Sequence, residues 1–191
     1  MAAEESHNYR PRKATTILTI RYFEDFHEGE EFSTPARTVT ESDVMNFAGV
    51  SGDFNPIHTD AEYAKRTVYG SRIAHGLLTL ALASGLWFSS GLFEESLVAL
   101  YGIENMRFTK PVRVGDTLTV KLQVTGRRER EEFGVLTVRN EVVNQKGEIV
   151  LAFDAMLLLK RGNGANRVSL PSAPAKKRLQ GQRQKRETPR P

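Results

Sequence analysis

Apolar and polar positions change rhythm along this chain. From residue 98 onward apolar residues recur at every second position, through LYGIENMRFTKPV, DTLTVKLQVTGRR, FGVLTVRNEVVNQ and GEIVLAFDAMLLLK. Period two marks strands with one face on a core, and turn residues at Pro111, Gly115-Asp116, Gly126 and Lys146-Gly147 separate them. The four segments predict an antiparallel meander. Ahead of them lies IAHGLLTLALASGLWFSSG, in which Thr79 and Ser84 are the only polar residues between Leu77 and Trp87. A helix so apolar is expected to be buried on most sides, and it is too short to span a bilayer. The two signals together predict an α+β fold, a curved antiparallel sheet wrapped around a long central helix.

Nearer the start the rhythm is helical. TESDVMNFAGVSGD opens with Thr40 and, three residues on, Asp43, a capping-box spacing with a shorter acid; Val44, Phe47 and Ala48 then share one face, and Gly52 ends the run. A second cap is expected at Thr59, with Glu62 three residues later. Between the two helix signals lies SGDFNPIH, Ser51 to His58, a loop without periodicity. Before them, TTILTIRYFEDF begins like a strand, and HEGEEFSTPARTVT passes through turn residues into a short extended segment.

Composition sharpens the boundaries. The 191 residues suit one domain with extensions, and the charge is unevenly spread: residues 161–191 hold nine Lys or Arg and one acid, so the remainder is mildly acidic although the whole carries +4. Residues 1–15 are expected to form a flexible leader, 16–160 the single domain, and 161–191 a basic disordered tail, too poor in apolar residues to offset the entropy of ordering. The tail is read as a solvated extension; the alternative is weak contact with nucleic acid or an anionic surface. Cysteine is absent, which removes disulfides, thiolate metal sites and Cys nucleophiles, and with no signal-peptide pattern the protein is expected in the cytoplasm.

Two places hold candidate chemistry. Asp53 and His58 put a carboxylate five residues from an imidazole, a pair able to move a proton to or from water. The competing readings are an Asx turn at Asp53 with His58 packing before the next helix, or a metal site with Asp60. Further on, Ile73-Ala74-His75-Gly76 enters the apolar helix. The first N–H groups of a helix lack internal partners and favour negative charge, and Gly76 leaves room for a ligand oxygen; alternatively, His75 and Gly76 simply turn the chain. Ser84 lacks the strand-turn-helix surroundings of a hydrolase nucleophile.

At these residues the chain resembles a known family. SGDFNPIHTDAEYAKRTVYGSRIAHGLLTLALASGLW is similar to the signature of the MaoC-like dehydratases, the (R)-specific enoyl-CoA hydratases, with their D-x-N-P-x-H loop and following I-A-H-G step. ENMRFTKPVRVGDTLTV resembles the family's next strand and turn, and the likeness covers about residues 20 to 160. It implies a hot-dog fold, a homodimer, and an acyl thioester on coenzyme A or acyl carrier protein, with no metal or cofactor. By the same resemblance Asp53 and His58 activate water, the Gly76 amide binds the thioester carbonyl, Ser84 supports the site, and Asn55 and His75 are assigned to substrate binding. Arg66, Lys110 and Arg113 are candidates for phosphate contacts, or else solvated surface charges. Two rival functions share the scaffold: an acyl-CoA thioesterase, and a non-catalytic acyl-CoA binding module.

Overall fold

The structure, a computed structural model, describes residues 20–162; the expected leader, the strand-like start at 15–19 and all but the first two residues of the basic tail lie outside them. After a 3-10 turn at Phe23–Asp25, the chain forms β1 (Glu31–Ser33), β2 (Arg37–Thr38), α1 (Glu41–Ser51), α2 (Pro56–Thr59), α3 (Ala61–Lys65) and α4 (Gly76–Ser89). Four long strands follow: β3 (Leu97–Phe108), β4 (Thr117–Glu129), β5 (Phe133–Val143) and β6 (Ile149–Lys160). All pairings are antiparallel, in the order β1-β4-β5-β6-β3, with β2 also on β4.

Strand alternation builds the core as expected from period two. Leu118, Val120, Leu122 and Val124 of β4 face inward, as do Leu151, Phe153, Ala155, Leu157 and Leu159 of β6. Against them α4 lays Leu78, Leu82, Leu86 and Trp87. The Trp87 indole N–H donates to Asn140 Oδ1 at 2.9 Å, so the polar atoms of this buried pair are matched.

The expected wrapping of a curved sheet around a long central helix is overturned. The sheet is open, with β1 at one edge and β3 at the other. Among the described residues the longest helix is α4, 14 residues, about 21 Å at 1.5 Å per residue. It packs on one face only, leaving Leu77 58% and Phe88 55% exposed. The fold is therefore hot-dog-like α+β, a helix lying on an antiparallel sheet. Apolar character all round the helix signalled an outer stripe left uncovered among the described residues, which periodicity cannot distinguish from burial.

The meander expectation holds for the order β4, β5, β6, although Gly126, expected to separate two strands, lies inside β4 at a register irregularity and pairs with Thr137; it does not hold for β3, which pairs with β6 instead of its sequence neighbour β4. The link from β3 to β4 consequently crosses beside the start of α4, where Ala74 N–H donates to Val112 O at 2.7 Å. At the other end of the site, Thr40 caps α1 through a complete capping box with Asp43, and Gly52 closes it with φ 75°. The expected cap at Thr59 is displaced by one residue. A short helical turn, α2, consumes Thr59, and Asp60 caps α3 by accepting from the Tyr63 N–H.

Candidate active site

The loop after α1 is organised by its own side chains. Gly52 takes the left-handed conformation, and Asp53 Oδ1 accepts from the Asn55 N–H at 3.2 Å. Asn55 Oδ1 in turn accepts from the Ile57 N–H at 3.2 Å, capping α2, whose first residue is Pro56. Asp53 and Asn55 stay exposed while His58, one turn later, is buried. The turn reading and the chemical reading of this loop are compatible: the turn presents the carboxylate outward and carries the imidazole in.

A strap joins this loop to the residues before α4. Ile73 N–H donates to Ile57 O at 3.2 Å, and His58 Nδ1 donates to Ile73 O at 2.8 Å. A carbonyl only accepts, so the proton of a neutral His58 is on Nδ1 and the lone pair is on Nε2. His75 Nε2 similarly donates to the backbone carbonyl of Asp53 at 2.9 Å. The rings of His58 and His75 stack, centroids 3.8 Å apart and 29° from parallel, and the Phe47 ring packs on His75 at 5.0 Å. Asp53, His58 and His75 each bring a nitrogen or carboxylate oxygen within 4.8 Å of the others. Asp60, the further ligand a metal site was expected to use, instead caps α3 by accepting from the Tyr63 N–H.

Directly after His75, Gly76 opens α4, so its N–H lies ahead of the helical hydrogen-bond ladder. A cleft of about 330 Å³ opens on Gly76, with Tyr69, Thr79, Phe108 and Lys110 in its wall. The Phe108 ring lies so near that a Cβ on residue 76 would stand 3.0 Å from it. A larger groove, about 610 Å³, runs over β1, β4 and β5 among Glu31, Lys121, Arg139 and Glu141; its lining includes none of Asp53, His58, His75 or Gly76.

The structure thus brings Asp53, His58 and His75 together at the start of α4. Ser84 lies eight residues further along the helix from Gly76, about 12 Å at 1.5 Å per residue, its hydroxyl donating to Ala81 O at 2.9 Å. Of the basic candidates, Lys110 on the cleft wall pairs with Glu148 at 2.6 Å. Arg113 donates to Ser71 Oγ and to Tyr69 O, and Arg66 is exposed at the end of α3. Reading the sequence missed Phe108 and Phe47, which reach this site from elsewhere in the chain with no local motif to mark them.

A family described as the MaoC like domain matches residues 25–146. The (R)-specific enoyl-CoA hydratase of Rhodospirillum rubrum is 36% identical over 142 residues, 74% of this chain and 94% of that one. Protein MaoC of Klebsiella aerogenes is 41% identical over 102 residues; the match covers 53% of this chain but only 30% of that longer protein. Among solved structures, an unliganded R-hydratase of Pseudomonas aeruginosa superposes with a TM-score of 0.63 at 32% identity, covering 73% of this chain and 86% of that one.

Proposed function

Because this chain belongs to the MaoC-like family, we propose that it is a hydro-lyase that reversibly adds water to a trans-2-enoyl thioester, giving the (R)-3-hydroxyacyl thioester. The observation that carries the reading is the convergence of Asp53 and His58 on the start of α4, with Gly76 immediately behind. The water oxygen bonds to Cβ, one water proton passes to the Asp53–His58 pair, and the double-bond electrons move through Cα onto the thioester oxygen. The Gly76 N–H, at the positive end of the helix, stabilises that oxygen. The pair then returns a proton to Cα, so that one whole water has been added. Dehydration runs the same path backward. Asn55 and the basic residues Arg66, Lys110 and Arg113 are the side chains proposed to meet the substrate and its carrier, and Ser84 supports the site from further along α4.

Crotonyl-CoA tests the reading directly. Loss of enoyl-thioester absorbance is expected without free thiol, and the product should be the (R)-3-hydroxyacyl thioester. Release of thiol without hydration would replace the lyase by a thioesterase, and binding without turnover would leave only an acyl-CoA binding module.

We further propose a homodimer. The outer stripe of α4 exposes Leu77, Ala81 and Phe88, and the neighbouring edge strand β3 exposes Val98, Leu100 and Tyr101. An unpaired edge beside an apolar stripe is a surface that a second copy would cover. Because Phe108 of β3 and Gly76 of α4 share the cleft, that copy would also close the substrate's surroundings. Sedimentation equilibrium should give about twice 21.4 kDa at micromolar concentration; a species of single mass would sink the dimer.

A further inference from the structure

His75 is 2% exposed, and its buried Nδ1 has no hydrogen-bond partner among the described residues. An unmatched buried acceptor is costly, which makes the ring's other contacts worth weighing. Two ring contacts and the following peptide bond meet the three parts of the site. The Nε2–H holds the carbonyl of Asp53, 22 residues away, at 2.9 Å. One ring face stacks on His58 at 3.8 Å, with Phe47 also packed on the ring. The peptide bond after His75 carries the Gly76 N–H, since His75 is the N-cap of α4.

Among the described residues, the His75 bond is the one direct hydrogen bond from the Asp53 turn to the segment that enters α4. Within the turn, Asp53 N–H donates to Ser51 Oγ and Asn55 N–H to Asp53 Oδ1, both 3.2 Å, and Phe54 N–H to Gly52 O at 3.1 Å. Thr59 Oγ1 donates to Phe54 O at 3.2 Å and to Asn55 O at 3.3 Å, so α2 holds the far side of the turn while His75 holds Asp53 itself. His58, by contrast, has its own anchor on Ile73.

We infer that His75 is a positioning residue, whose Nε2–H registers the Asp53 loop against His58 and the start of α4. The inference rests on the hydratase reading above. Proton transfer needs its donor and acceptor within hydrogen-bond reach, and displacement by about 1 Å costs on the order of 10²-fold in rate. A neutral His75 is sufficient for this role, because only its donor and its ring plane are used.

Two variants separate the donor from the ring. His75→Phe keeps the stacking surface and removes the donor; it also removes the unpartnered Nδ1, so a residue with a purely structural role would tolerate it. His75→Gln restores an N–H near the Nε2 position without the ring. With crotonyl-CoA, H75F is expected to lose about 30-fold in kcat with KM within about threefold, while its thermal midpoint stays close to wild type; H75Q is expected to recover most of the loss. An H75F enzyme with wild-type kcat would overturn the inference. So would H75Q falling as far as H75F, or a rise in KM at constant kcat, which would make His75 a substrate contact. An inactive wild type would instead refute the hydratase reading, so the two failures are distinguishable.

Discussion

Asp53→Asn is expected to lower kcat for enoyl-CoA hydration by about 10³-fold, within the 10²–10⁴ range of a general acid–base group, while leaving the fold and thioester binding intact. The substitution is nearly isosteric, and Asn retains the Oδ1 that accepts from the Asn55 N–H. Asp53 is exposed, so no buried polar atom is stranded. The Asp53 carbonyl, held by His75, is backbone and unaffected. What disappears is the ability to take and return a proton. His58→Asn makes the matching deletion on the partner: an Asn amide can still donate to Ile73 O, as His58 Nδ1 does, but the Nε2 lone pair is gone. It should cost a similar factor. Because the two groups act as a unit, the double variant should be little worse than either single one. Rates near wild type in D53N, measured beside an unchanged circular dichroism spectrum, would remove Asp53 from the mechanism.

Gly76→Pro should reduce kcat by about 10² to 10³-fold, the loss typical of removing one oxyanion donor, with a smaller change in KM. The backbone accepts proline here. Gly76 is the first residue of α4, where proline is accepted because that N–H has no helical partner. The residue ahead, His75, has φ −60° and ψ 141°, the extended conformation that a following proline requires. A Cβ here would stand 3.0 Å from the Phe108 ring, which must move by a few tenths of an ångström. Gly76→Ala makes the same Cβ demand but keeps the N–H, so the ratio of the two variants reports the loss of that donor together with the ring carbons that replace it. Equal rates in G76A and G76P would mean that the N–H carries no charge in the transition state.

Both experiments use residues that were visible in the sequence, and the reason is physical. Capping of α1 by Thr40 and Asp43, the left-handed Gly52, the Asn55-Pro56 turn and the alternation along β4 to β6 depend on interactions spanning a few residues, or on a simple two-residue period. Such interactions leave their mark in the order of side chains. The local reading slipped where two local signals competed: Thr59 and Asp60 can each cap a helix, and the short α2 turn decided for Asp60.

The amino-acid sequence by itself determined the four long strands, the start of α1, the resemblance to the MaoC-like family and the choice of Asp53, His58 and Gly76. Only the tertiary structure decided that β3 pairs with β6, that the sheet stays open, and that α4 buries one face while Leu77 and Phe88 remain exposed. It also brought His75 under the Asp53 loop, 22 residues back, and Phe108 over Gly76, 32 residues back. An apolar position records that a residue avoids water, but not whether its cover comes from the same chain, and a histidine before a helix does not name the carbonyl its N–H will find. Those choices follow from how whole elements pack, a property of shape that no run of neighbouring residues contains.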